Sequence, residues 1–97
     1  MQLSAKDINT ISNYFKSQPV LKAYLFGSYS RNEANKSSDV DILVDLDYTA
    51  HIGLGFVTMQ SDLENKLQRP VDLISSGGVS PHLNPFIDKD KVLIYER

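Results

Sequence analysis

The sequence has no cysteine and no tryptophan, and only four prolines and five glycines in 97 residues. Without cysteine there is neither a disulfide framework nor a thiolate metal site, which fits the cytoplasm. No apolar run approaches the ~20 residues that a membrane-spanning helix requires. The opening Met1-Gln2-Leu3-Ser4-Ala5-Lys6-Asp7 also lacks the apolar stretch of a signal peptide, so no membrane partner is expected. Nor is there a surplus of positive charge: ten basic residues are scattered among twelve acidic ones, giving a net charge of −2 and a pI of about 5.5. A chain whose main partner is nucleic acid usually carries a basic stripe. An enzyme that extends RNA or DNA is therefore disfavoured, and no direct nucleic-acid contact is expected. What remains, 41% hydrophobic and 23% charged residues, is the composition of an ordinary globular protein. Residues 1–97 read as one domain, with no linker, repeat or low-complexity tract.

The apolar pattern divides the chain into alternating helices and strands. Ser4 is an N-cap with Asp7 three residues on, and Leu3 can staple against Ile8. Ile8, Ile11 and Phe15 then share a helical face, which Pro19 ends. Val20 to Phe26 is a short apolar strand stopping at Gly27, and Ser30 to about Lys36 reads as a short polar helix or turn. From Asp39 to Leu46, apolar Val40, Ile42, Val44 and Leu46 alternate with Asp39, Asp41, Leu43 and Asp45, the period of a strand with one buried face. A loop from Tyr48 to Gly55 leads to a helix marked by Phe56, Met59, Leu63 and Leu67. Val71-Asp72-Leu73-Ile74 is a third strand, Ser75 to Gly78 a turn beside Asp72, and Ser80-Pro81 a helix start limited by Pro85. Val92 to Tyr95 closes the chain as a fourth strand. The fold class predicted is α/β (α+β).

Within this frame the informative feature is Gly27-Ser28 followed, ten residues later, by Asp39-Val40-Asp41. Residues two apart on a strand project to the same side, so the two carboxylates stand about 7 Å apart along the chain at ~3.3 Å per residue. Paired like charges beside a Gly-Ser turn are a poor way to stabilise a fold. They suit a hard divalent cation held against a phosphate, since Mg²⁺ takes one or two carboxylates together with phosphate oxygens. Asp45 and Asp47 lie farther along the same face and read as solvated. His51 and His82 lack paired ligand spacing, and Gly77-Gly78 is followed by no Gly-Lys-Ser/Thr, so it is not a phosphate loop of that type.

Gly27-Ser28-Tyr29-Ser30-Arg31, then Ser38-Asp39-Val40-Asp41 and Val44, resembles the signature of the minimal nucleotidyltransferases, the MNT branch of the DNA polymerase β-like superfamily. Pro70-Val71-Asp72-Leu73-Ile74 is similar to that family's third strand with its third carboxylate, and Val92-Leu93-Ile94-Tyr95-Glu96 to its last strand. The resemblance implies a single-domain polymerase β-like fold with a mixed sheet flanked by helices. It also implies ATP as substrate and two Mg²⁺ ions, which together activate the α-phosphate, the leaving pyrophosphate and the acceptor hydroxyl. By the same resemblance Asp39, Asp41 and Asp72 are the metal ligands and catalytic residues, Asp72 on the acceptor side, while Gly27, Ser28 and Arg31 bind the terminal phosphates. Glycine lets backbone approach an anion, and arginine offers a planar fork. Two positions depart from the family: Ser30 stands where many members have alanine, and Asn32 where they have glycine. Tyr29 either stacks on a base or is a plain turn residue.

Small domains of this kind resemble the antitoxin halves of HEPN/MNT toxin–antitoxin modules. The expectation is therefore an adenylyltransferase that moves AMP from ATP onto a tyrosine of a helical HEPN-type toxin. Its alternative is a non-catalytic antitoxin that masks the same partner, and a third reading is an enzyme modifying small-molecule antibiotics.

Overall fold

The computed structural model describes residues 3–31, 33–34, 38–50, 52–78, 82 and 84–97. Its first helix, α1 (Ala5–Phe15), starts as the sequence predicts. Ser4 Oγ accepts the Asp7 N–H at 3.1 Å, and Leu3 and Ile8 both pack into the core. Pro19 separates α1 from β1 (Val20–Phe26), which ends in a single 3-10 turn, Gly27–Tyr29. That turn begins three residues earlier than the polar helix or turn predicted from Ser30; Asn32 and residues 35–37 lie outside the described residues. Next come β2 (Val40–Leu46), α2 (Gly55–Leu67), β3 (Val71–Ser75), a 3-10 turn at Ser76–Gly78, α3 (Asn84–Asp90) and β4 (Val92–Glu96).

The four strands form one sheet in the order β3-β2-β1-β4. β1 is antiparallel to both β2 and β4, whereas β2 and β3 are parallel, so the sheet is mixed as expected. A hairpin connection suits the antiparallel pair, while the parallel pair needs a crossover, supplied by α2. One sheet face carries the main core: Val20, Ala23, Leu25, Val40, Ile42, Val44, Val71 and Leu73 meet Ile11 and Phe15 of α1 and Met59, Leu63 and Leu67 of α2. Each of these side chains other than that of Ala23, when fully buried, contributes about 1.5–3 kcal/mol.

The opposite face departs from simple alternation. Leu43, placed by its parity among the aspartates, is buried, because Ile87 of α3 packs on it together with Phe26. Pro85 does not limit this helix; it lies in its first turn, where a missing N–H costs nothing. The predicted start at Ser80-Pro81 lies outside the described residues.

Candidate active site

Because β1 and β2 run antiparallel, the end of one meets the beginning of the other, and Phe26 pairs with Asp41. Because β2 and β3 run parallel, their beginnings coincide, and Asp41 pairs in register with Asp72. Three separate chain segments thus bring Gly27, Asp41 and Asp72 to one corner of the sheet. Asp39 precedes β2 by one residue and is exposed, as is Asp72; Asp41 is half-buried.

Gly27 adopts φ +73°, and a Cβ there would lie 2.2 Å from Oδ2 of Asp41. Both the backbone conformation and the carboxylate therefore disfavour a side chain at this position. The turn is locked around the Gly27 carbonyl, which accepts the Ser30 Oγ–H at 2.8 Å and the Ser30 and Arg31 N–H groups at 3.1 and 3.2 Å. Ser30, a departure from the family pattern, thus has a definite part in the loop. Ser28 is half-buried, and its carbonyl accepts the Glu33 N–H at 2.8 Å.

Tyr29 is buried and held from outside. The Arg69 guanidinium sits 5.8 Å from its ring centre and donates to its hydroxyl at 3.3 Å, while also lying 3.7 Å from Asp7. That removes the base-stacking option for Tyr29. Arg31 stands beside the corner, but its fork is engaged: Nε meets Glu33 at 3.2 Å and Nη1 meets Asp90 of α3 at 2.5 Å. The Asp90 contact pairs residues from distant segments, so no local pattern announced it.

Burial, and then the charges of Asp72 and Asp39, push the Asp41 carboxyl up to about 6; Arg31 partly opposes the shift. The Asp41 carboxylate therefore feels the other two. The three are not drawn into a tight set, for among the described residues no group of three Asp, Glu, His or Cys side chains is arranged to hold a metal ion. The donor chemistry nonetheless fits Mg²⁺: hard carboxylate oxygens at one corner, with the glycine leaving Asp41 uncovered by side chain.

The other expectations fall elsewhere. The Ser76–Gly78 turn is at the far end of β3, against Tyr48, and not beside Asp72. Asp47 is not a free solvated residue: it accepts from the Thr49 N–H at 3.1 Å and hydroxyl at 2.5 Å, and pairs with Arg97 at 2.8 Å. An apolar groove of about 230 Å³, lined in part by Leu3, Ile8, Val92 and Ile94, is bounded largely by main-core residues and lacks the carboxylates. No helix among the described residues is long and apolar enough to cross a membrane.

The corner thus combines a glycine turn, a carboxylate strand and a third carboxylate on the parallel neighbour. The family pattern described as "Polymerase beta, Nucleotidyltransferase" matches residues 9–97, and the chain belongs to that family. The protein adenylyltransferase MntA of Thermococcus cleftensis is 34% identical over 70 residues, covering 72% of this chain and 70% of that one. Among solved structures, a toxin–antitoxin with AMP-PNP superposes with a TM-score of 0.77 at 23% identity, over 98% of this chain and 75% of the other. A tri-AMPylated Shewanella oneidensis HEPN toxin in complex with MNT antitoxin gives a TM-score of 0.73 at 22% identity, over 95% and 71%. These two likenesses establish the fold. The family membership makes this chain an enzyme, a nucleotidyltransferase.

Proposed function

We propose that this protein transfers AMP from ATP to the tyrosine hydroxyl of a HEPN-type toxin, releases pyrophosphate, and thereby acts as a cytoplasmic antitoxin. The observation that carries the reading is the corner itself: the Gly27 turn closed directly on Asp41, and Asp41 in register with Asp72. It is supported by the adenylyltransferase relative and by the toxin-bound structures that share the fold.

In this reading the acceptor oxygen attacks the α-phosphorus, the bond to the bridging oxygen of the β-phosphate breaks, and the acceptor proton passes to the Asp72 carboxylate. Exposure of Asp72 leaves it open to a macromolecular acceptor. Gly27 and Ser28 receive the terminal phosphates, and Arg31, with Nε and Nη1 held by Glu33 and Asp90, offers them its remaining Nη2 donors. Asp39 and Asp41, with Asp72, would hold two Mg²⁺ ions. When bound, these ions neutralise charge on the phosphates and lower the pKa of the acceptor hydroxyl.

The test separates enzyme from mask. The purified toxin is mixed with this protein and Mg-ATP, weighed by mass spectrometry, and assayed for activity after this protein is removed. An added AMP mass with persistent inhibition supports the enzyme. Inhibition that vanishes on separation, without a mass change, leaves only the masking antitoxin.

A further inference from the structure

Among the described residues Asp72 stands on an edge strand, where half of the backbone groups face no further strand. The two N–H groups that flank it are nevertheless bound. Val71 N–H donates to Glu64 Oε2 at 3.2 Å, and Leu73 N–H to Gln60 Oε1 at 3.1 Å, both partly buried. The spacing explains the fit. Residues four apart on a helix are separated by ~6.0 Å of rise, and residues two apart on a strand by ~6.6 Å. Running opposite to β3, α2 therefore sets two side-chain oxygens where the carbonyls of a next strand would stand.

We propose that Gln60 and Glu64 are positioning residues for the transfer reaction: they pin the backbone on both sides of Asp72 and so fix its carboxylate against Asp41. The same bonds occupy the donors to which an added strand would pair, so an acceptor reaches Asp72 across the sheet face and not by extending the sheet. This rests on the reading of Asp72 as the acceptor-side carboxylate.

The experiment compares Gln60→Leu and Glu64→Leu, singly and together, with Gln60→Glu and Glu64→Gln, which keep a side-chain oxygen. Each is tested in the parent and in an Asp72→Asn background. In the parent, the leucine variants should lower the rate of AMP transfer to the toxin by about 10- to 10²-fold, the scale of a small misplacement of a reacting group. Affinity for Mg-ATP by calorimetry should stay unchanged, and the conservative variants should retain transfer. In the Asp72→Asn background the leucine variants should cost nothing further. Amide exchange should quicken at Val71 and Leu73 while the α1 and β1 amides stay protected; if the double variant does not fold, Gln60→Leu alone carries the comparison. Equal losses in both backgrounds, or a parallel fall in Mg-ATP affinity, would show a merely structural role and overturn the proposal. Full transfer by Asp72→Asn itself would instead overturn the reading of Asp72 beneath it.

Discussion

The two ends of β2 carry aspartates of the same face and opposite electrostatic fate. At its start, burial and the neighbouring Asp72 and Asp39 push Asp41 up to about 6. Just past its end, hydrogen bonds from Thr49 and Arg97 hold Asp47 down, to about 2. One strand thus places a carboxylate where its charge is opposed and another where its charge is satisfied. Asp47 ties the β2 exit to the C-terminal Arg97, and Asp47 N–H also reaches the Pro19 carbonyl at 2.8 Å; it belongs to the architecture. Asp41 bears an electrostatic cost, in keeping with the role proposed for it above.

The largest expected effect is on transfer. Asp41→Asn should abolish incorporation of label from α-labelled ATP, whereas Asp47→Asn should leave it nearly intact; equal losses would collapse the distinction between the two ends. Asp72→Asn should reduce transfer by ~10²–10⁴-fold, the range for loss of a general base, with little change in Mg-ATP binding by calorimetry. A proportionate fall in affinity would move Asp72 to the nucleotide side.

Gly27→Ala probes why Asp41 is so placed. Left-handed strain alone should destabilise by about 1–3 kcal/mol, and the clash with Asp41 adds to it. Combined with Asp41→Ala, the loss measured by denaturant unfolding should be smaller than the sum of the two single variants, because the clashing carboxylate is gone. Strict additivity would mean that the two residues are not in contact.

The smallest effects lie in melting temperature, where the two ends should respond to pH with opposite signs. In the folded protein Asp41 binds its proton more tightly than in the unfolded chain, so its ionisation weakens the fold as pH rises from about 4 through about 6. Asp41→Asn should accordingly raise the melting temperature of the metal-free protein at pH 7, and the advantage should shrink as the pH falls from about 6 to about 4 and be gone below that. For Asp47 the folded value lies below the unfolded one, so its stabilisation is complete above about pH 4 and is lost as pH falls towards 2. Asp47→Asn should lower the melting temperature at pH 7 and converge with the parent in acid. Calorimetric scans from pH 2 to 8 would show whether the curves diverge in these opposite directions.

Much of this was legible in the residues because it is local. The Ser4 cap, the α1 stripe, the alternation of β2 and the pairing of Gly27-Ser28 with Asp39-Val40-Asp41 are all written within a dozen or so positions of one another. What escaped depends on partners that spacing does not announce. Leu43 is buried only because α3 returns to cover it, Arg31 is engaged by Asp90 from the far end of the chain, and Asp47 by Arg97. Tyr29 looked available as a loop aromatic until Arg69 and the core closed around it. Gln60 and Glu64 carried no signal in the sequence; their bonds to β3 follow only once the direction of α2 against that strand is known.

The sheet's mixed pairing also makes the two contacts at the corner unequal in the length of chain they close. Gly27 and Asp41 come together through an antiparallel connection between consecutive strands, a short closure of chain with a modest entropic toll. Asp72 joins them across the 13-residue α2, a longer closure between parallel strands. Contacts of longer sequence separation are slower to form. Of the two pairings at the corner, the one between Asp41 and Asp72 therefore carries the larger closure toll and is expected to form later.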